Sequence, residues 1–392
     1  MTRVSRTSFD AIVAGAGPAG STTAYRLARG GASVLLVDRA RFPRDKPCGG
    51  AVTGRALRLL PFSIDPVVES VPDRFELRLR GERRGGQQLD SPFVWITQRR
   101  LLDAFLVEQA VAAGVRFEDG TRVGGVEETA DGPVVELAGR SVRCRALIVA
   151  EGANGTTSRA LGLAAPRLRN VALEGNASYE RVPAQLDRRG FTIEIGTVSG
   201  GYAWVVPKRD HVNFGVGGWE REGPFLRDHL RRLCESFGTS LDDLSDLRGH
   251  RLPMGGLHTG RLARGRVLAV GDAAGLVDPF SGDGMYEAFL SGSLAAQATL
   301  DLLAARVRDL DAYDAAVRGH LAAGFDVSWL AKLALDRFPG LAYAVIRSGV
   351  GRRLAERALR GDEPSAAAER LARTGTALFR RLASDATLAR AA

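Results

Sequence analysis

The 392-residue chain predicts an α/β fold in which a parallel-stranded domain is interrupted by an antiparallel β-lobe and followed by a helical C-terminal region. Three observations carry that prediction. The apolar run Ala11-Ile12-Val13-Ala14 meets the turn Gly15-Ala16-Gly17-Pro18-Ala19-Gly20 and continues into a helical stretch through Tyr25-Arg26-Leu27. Two further buried-strand runs, Ala146-Leu147-Ile148-Val149-Ala150 and Arg266-Val267-Leu268-Ala269-Val270, recur far downstream. Between them, residues 171–218 form half-alternating runs such as Thr192-Ile193-Glu194-Ile195, the period of strands with one buried face.

The first unit has the pattern of a Rossmann-type dinucleotide site. Gly15 and Gly17 lack side chains where a diphosphate needs close backbone approach. Pro18 and Ala19 open the helix whose N-terminal amides would face the anion, and Gly20 lets that helix pack closely on the sheet. Asp38 ends a second strand, Ala32-Ser33-Val34-Leu35-Leu36-Val37, 18 residues after Gly20. Its carboxylate is placed to accept hydrogen bonds from an adenosine ribose, with Arg39 beside it.

Next in order, residues 78–88 are polar and rich in Arg, Gly and Gln, and they lead to Phe93-Val94-Trp95-Ile96. Leu101, Leu102, Phe105, Leu106 and Ala110 recur at helical spacing and should bury one face against a sheet. Residues 122–128 and 134–137 predict a small β-meander. An amphipathic helix is expected at about residues 225–237. The Gly-rich segment Pro279-Phe280-Ser281-Gly282-Asp283-Gly284 should turn into a long helix, and the remainder reads as helices punctuated by Pro339 and Gly349, with another start at Pro364.

Composition narrows the function classes. Hydrophobic residues make up 45% and charged residues 25%, as in a globular protein with a large core. The formal charge is +9, and from Arg337 onward eleven arginines face five acids. No nucleic-acid motif accompanies this basic tail, which leaves a solvated helical surface or peripheral contact with a membrane. Cys48, Cys144 and Cys234 are odd in number and lack paired spacing, and none of His211, His229, His250, His258 and His320 forms a ligand spacing, so no metal is expected. With no secretory signal and no spanning run, the expected location is the cytoplasm, soluble or peripheral at the membrane surface.

Gly271-Asp272 ends the last parallel strand about 250 residues after the first glycine motif. Two other segments, Phe42-Pro43-Arg44-Asp45-Lys46-Pro47-Cys48-Gly49-Gly50 and Tyr202-Ala203-Trp204-Val205-Val206-Pro207-Lys208, complete a constellation. Together with the following Gly215-Val216-Gly217, they resemble the signatures of the geranylgeranyl reductase family of FAD-dependent oxidoreductases, which have a p-hydroxybenzoate hydroxylase-type fold. The second segment fits that family's Tyr-x-Trp-x-Phe-Pro-Lys pattern except that Val206 replaces Phe. Glu151-Gly152 stands where the family commonly has Asp-Gly, a departure that moves the carboxylate by one methylene. The resemblance spans residues 9 to about 300.

The resemblance implies a Rossmann-type FAD-binding domain, an antiparallel substrate lobe and a helical C-terminal region. Their expected limits are residues 1–75, 97–165 and 250–310 for the discontinuous FAD-binding domain, 76–96 and 166–249 for the lobe, and 311–392 for the helices. It implies FAD held by Gly15, Gly17, Pro18, Ala19, Gly20, Asp38, Arg39, Arg99, Gly152 and Pro279, with Asp272 on the ribityl chain. Gly282, Gly284 and Met285 would present a backbone edge to the isoalloxazine ring, and Cys48 and Gly49 would lie beside it.

The activity implied is saturation of isolated double bonds in polyprenyl chains, with hydride from reduced flavin and electrons from NAD(P)H or ferredoxin. Tyr202 and Trp204 would wall an apolar channel, and Cys48, Tyr202 or an ordered water, in that order, would supply the proton. The alternative is an FAD-dependent monooxygenase that hydroxylates an aromatic or other apolar substrate. A non-enzymatic prenyl carrier on the same fold is disfavoured by Gly15, Gly17, Gly20, Asp38 and Asp272, which a carrier need not retain.

Overall fold

The computed structural model describes residues 8–82, 86–163, 168–255, 257, 260–362 and 374. The helix start expected at Pro364, His258 and most of the chain beyond residue 362 lie outside the described residues.

The apolar runs build the parallel sheet. Ser8–Ala14 lies between Val34–Val37 and Arg140–Val149, parallel to both, and Val267–Ala269 extends the sheet in parallel beyond Arg140–Val149. Each is buried in one core that also takes in Ala24, Leu27, Val135, Leu137, Ala295 and Tyr313. Ile12, Val13, Leu36, Leu147 and Ile148 are fully enclosed, each removal from water worth about 1.5–3 kcal/mol. The meander, Val123–Thr129 and Gly132–Leu137, pairs antiparallel onto the first half of Arg140–Val149. The helix Pro18–Arg29 packs against Met285–Leu303. The strands Ser8–Ala14, Val34–Val37, Arg140–Val149 and Val267–Ala269 end at one edge of this sheet, the edge at which open α/β sheets bind ligands.

A second sheet of seven strands lies across that edge. Its order is Ser245–Met254, Leu168–Ser178, His211–Trp219, Tyr202–Pro207, Gly190–Ile195, Arg74–Leu79 and Gln87–Gln88. Its pairings are antiparallel except that Gly190–Ile195 runs parallel to Arg74–Leu79. The amphipathic helix Leu226–Ser236 buries Leu226, Leu230, Leu233 and Cys234 against this sheet with Val205, Phe214 and Val216. A three-stranded sheet, Ala51–Thr53, Val94–Thr97 and Val68–Ser70, completes the strands.

Three strands are not visible as apolar alternation. The polar stretch at 78–88 contains the end of Arg74–Leu79 and the pairing strand Gln87–Gln88. Its Arg78 is fully buried because the guanidinium lies 3.8 Å over the Phe237 ring and pairs with Glu76 at 2.9 Å. Ser245–Met254 is an edge strand with buried side chains only at its end, so only its backbone pairing with Leu168–Ser178 declares it. After Met285–Leu303 the chain runs through Ala312–Arg337, Pro339–Arg347 and Gly349–Arg360, broken at Pro339 and Gly349 as the residue types require. No helix among the described residues is long and apolar enough to cross a membrane.

Candidate active site

Between the carboxyl edge of the parallel sheet and one face of the seven-stranded sheet lies a cavity of about 1020 Å³, at the upper end of the range for small-molecule sites. One arm is polar and glycine-lined; the other is apolar and aromatic.

The polar arm begins at the first strand–helix turn. Gly15 has φ +110°, and a Cβ there would stand 2.2 Å from the carbonyl oxygen of Ala150, so only glycine brings the two strand ends this close. Gly20 faces the Gly15 carbonyl and serves packing, whereas Gly17, Pro18 and Ala19 line the cavity. No side chain caps the helix at Gly17 and its first turn has no acid, which suits an anion at its amides. Asp38 accepts from the backbone N–H groups of Ala16 and Ala40, each at 2.8 Å, so its carboxylate ties the glycine turn to the second strand. Arg39 is exposed at the rim.

Cations stand where a diphosphate would lie. Arg99 is buried and donates from Nε and Nη2 to Asp103 at 2.7 and 2.8 Å, and Arg44 Nη1 meets the same carboxylate at 2.9 Å. Burial opposes the Arg99 charge, but Asp103 outweighs it and holds the guanidinium firmly protonated. Asp103 thus orients two arginines beside Gly17, a task that no local pattern announced.

Asp272 follows Val267–Ala269 in the turn Gly271–Ala274. Its Oδ2 accepts from Lys46 Nζ at 2.9 Å. Burial alone would raise the carboxyl, yet Lys46, with His250 and Arg99, holds it below the usual carboxylate range. His250, which forms no metal-ligand spacing, also lines the cavity; burial and the Lys46 charge push it down to about 4, so it is neutral at ordinary pH. The Glu151 carboxylate accepts from the Thr157 N–H at 3.1 Å, and Gly152 lines the cavity at φ +73°.

Residues 280–285 form the floor where the arms meet. Asp278 builds this loop by accepting from the backbone N–H groups of Phe280 and Ser281 and from the Ser281 hydroxyl. Gly282, Gly284 and Met285 line the cavity, whereas Pro279 is buried and does not. Tyr202 donates its hydroxyl proton to the Ser281 carbonyl, and burial raises the phenol above its ordinary value.

Opposite this floor, Cys48 donates its backbone N–H to Glu174 Oε1 at 2.8 Å, and its Sγ accepts from the Gly50 N–H at 3.4 Å. Burial raises the Glu174 carboxyl; the Cys48 amide, Lys208 and Asn213 offset part of that. Trp204 donates from Nε1 to Asn213 Oδ1 at 2.7 Å and sits over Gly49 on one side. In register with it, Gly215 leaves the space its ring fills: a Cβ there would stand 2.1 Å from Trp204 Cζ2. Beyond Trp204 the apolar arm is walled by Phe75, Leu77, Phe93, Phe191 and Ile193 and closed by the helices of residues 339–360. By contrast, Cys144 and Cys234 are buried elsewhere, their thiols pushed up to about 12 by burial.

Glycines that exclude a Cβ, an uncapped helix N-terminus and flanking arginines fit the diphosphate and ribose of FAD, and the wide floor at 280–285 fits its ring. Such a site defines a flavoprotein oxidoreductase. Over residues 8–322 the chain matches the profile of a family described as FAD binding domain. A digeranylgeranylglycerophospholipid reductase of Methanopyrus kandleri is 31% identical over 75% of this chain and 81% of its own length. A menaquinone reductase of Mycolicibacterium smegmatis is 31% identical over 82% of this chain and 83% of its own. The structure of a geranylgeranyl bacteriochlorophyll reductase-like protein from Thermoplasma acidophilum has a TM-score of 0.80 at 21% identity, covering 90% of this chain and 96% of that one, a likeness of fold. This chain belongs to the geranylgeranyl reductase family within the FAD-binding proteins, and it is an FAD-dependent oxidoreductase.

Proposed function

We propose that this protein saturates isolated C=C bonds of a polyprenyl lipid or tail. The observation that carries the reading is the apolar arm, whose wall of Phe75, Leu77, Phe93, Phe191 and Ile193 suits an isoprenoid chain leading to the floor at 280–285. Relatives named for geranylgeranyl-lipid and menaquinone reduction support the same substrate class.

An isolated alkene is a poor electrophile, so the site must align it, exclude water and place an acid. Reduced FAD supplies the hydride when bound. Gly15, Gly17 and the amides after them would hold the diphosphate together with Arg99 and Arg44, and Asp272 would hold the ribityl chain. Trp204, locked between Gly49 and Gly215, forms the wall that sets the alkene's height above the floor. Cys48 is the first candidate proton source; Tyr202, whose proton is engaged by Ser281, is the second, and an ordered water the third. The seven-stranded sheet serves as the substrate lobe, and NAD(P)H or ferredoxin as electron donor.

Anaerobic turnover with a polyprenyl substrate tests the reading. The enzyme reduced beforehand should reoxidise and yield a product heavier by two hydrogens. A requirement for oxygen, with an oxygen atom gained in the product, would overturn it in favour of hydroxylation.

A further inference from the structure

The helices that close the apolar arm carry a second, outward face. Pro339–Arg347 turns Ala342, Tyr343 and Ile346 inward onto Leu77, Ile195 and Leu335. Its opposite side leaves Leu341 66% and Val345 54% exposed, with Phe338 just ahead at 56% and Val350 just after at 72%. Of the nine large hydrophobic side chains exposed among the described residues, four therefore fall within residues 338–350. Single exposed apolar residues are ordinary, but a cluster on one short stretch marks a contact surface.

The same stretch is basic. Residues 337–361 hold six arginines and one glutamate. That glutamate, Glu356, is turned inward, buried and paired with Arg352 at 3.2 Å. Arg337 and Arg353 are exposed, and neither meets a carboxylate within ion-pair distance among the described residues. An apolar strip flanked by arginines is complementary to an anionic bilayer, whose acyl boundary takes the first and whose headgroups take the second. Inward, Ile346, Arg347, Arg352 and Leu359 line the cavity.

We infer that Pro339–Arg347 and the start of Gly349–Arg360 dock this protein on an anionic bilayer, with Phe338, Leu341, Val345 and Val350 at the acyl boundary. The cavity wall formed by these helices then lies against the membrane that holds the substrate. The inference rests on the lipid-reductase reading for its purpose, but its test does not depend on turnover.

The full-length, flavin-loaded protein is floated with vesicles of phosphatidylcholine alone or mixed with phosphatidylglycerol. It should float with the mixed vesicles, and increasing salt should release it. Leu341→Glu/Val345→Glu and Arg337→Glu/Arg353→Glu should each cut partition by about tenfold or more, with flavin content and melting temperature unchanged. Equal partition into both vesicle types, or none into either, overturns the inference. So does a concentration-dependent dimer that Leu341→Glu/Val345→Glu abolishes, which would assign the face to a second copy. A clear fall in melting temperature in that variant would show the face already covered in the free protein and would also overturn it. Vesicle binding by an enzyme that reduces no alkene would instead remove the reductase reading and leave the docking surface standing.

Discussion

Glu174 of the seven-stranded sheet accepts the backbone N–H of Cys48 at 2.8 Å, so a carboxylate from one side of the cavity holds the loop on the other. This contact sets where the Cys48 thiol stands relative to Trp204. Glu174→Ala should leave the amide without its acceptor and cost about 1–3 kcal/mol of stability, measured by thermal melting. Glu174→Gln keeps an acceptor and should restore most of that loss. Because burial raises the Glu174 carboxyl, the folded state binds its proton more tightly than the unfolded chain. Its contribution should therefore decline as pH rises through and above the usual carboxylate range, and Glu174→Gln should flatten that slope.

Cys48→Ala should slow alkene reduction while leaving flavin content and photoreduction intact, because the role proposed for this cavity-lining thiol is proton delivery and not flavin binding. The expected loss is about 10²-fold or more if the thiol is the general acid. Single-turnover reoxidation of reduced enzyme checks it. Undiminished turnover would pass the role to Tyr202 or water.

FAD should be bound tightly but noncovalently, and heat should release it intact. Asp272→Ala removes the partner of Lys46 at 2.9 Å and should lower flavin occupancy more than helical content, read from absorbance and far-ultraviolet circular dichroism on the same sample. The folded Asp272 carboxyl lies below its unfolded value, so its stabilisation is present above the usual carboxylate range and lost as pH falls through the depressed value. Asp272→Asn should therefore lose less stability than the parent on acidification.

Gly215→Ala should press a methyl group into the Trp204 ring, since the added Cβ would stand 2.1 Å from Cζ2. Overpacking of this kind costs about 1–3 kcal/mol, and relief requires the indole to swing toward the channel. The variant should melt earlier and reduce long polyprenyl substrates more slowly, while its flavin content stays near that of the parent.

The parts of this protein legible in its sequence are those made by neighbours in the chain. The unit from Ala11 to Asp38 declares itself because strand, turn and helix each need particular residue types at fixed offsets: apolar for the sheet, glycine at φ +110°, proline at the first helical position. The floor at 280–285 and the Tyr202/Trp204 strand were readable for the same reason. Only the folded chain brings Asp103 onto Arg99 and Arg44, Lys46 onto Asp272, Glu174 onto Cys48 and His250 into the cavity. Most of these contacts join segments far apart in the chain, and even Asp103, one turn beyond Arg99, gains its role by also meeting Arg44. A lone charged residue in an otherwise ordinary strand or helix looks like solvated surface until the opposite wall is in place. Arg78 shows the limit most plainly. Its sequence neighbourhood is polar, yet the Phe237 ring and the Glu76 carboxylate make its burial tolerable. Burial and charge partnership are properties of the packed pair, and no single segment encodes them.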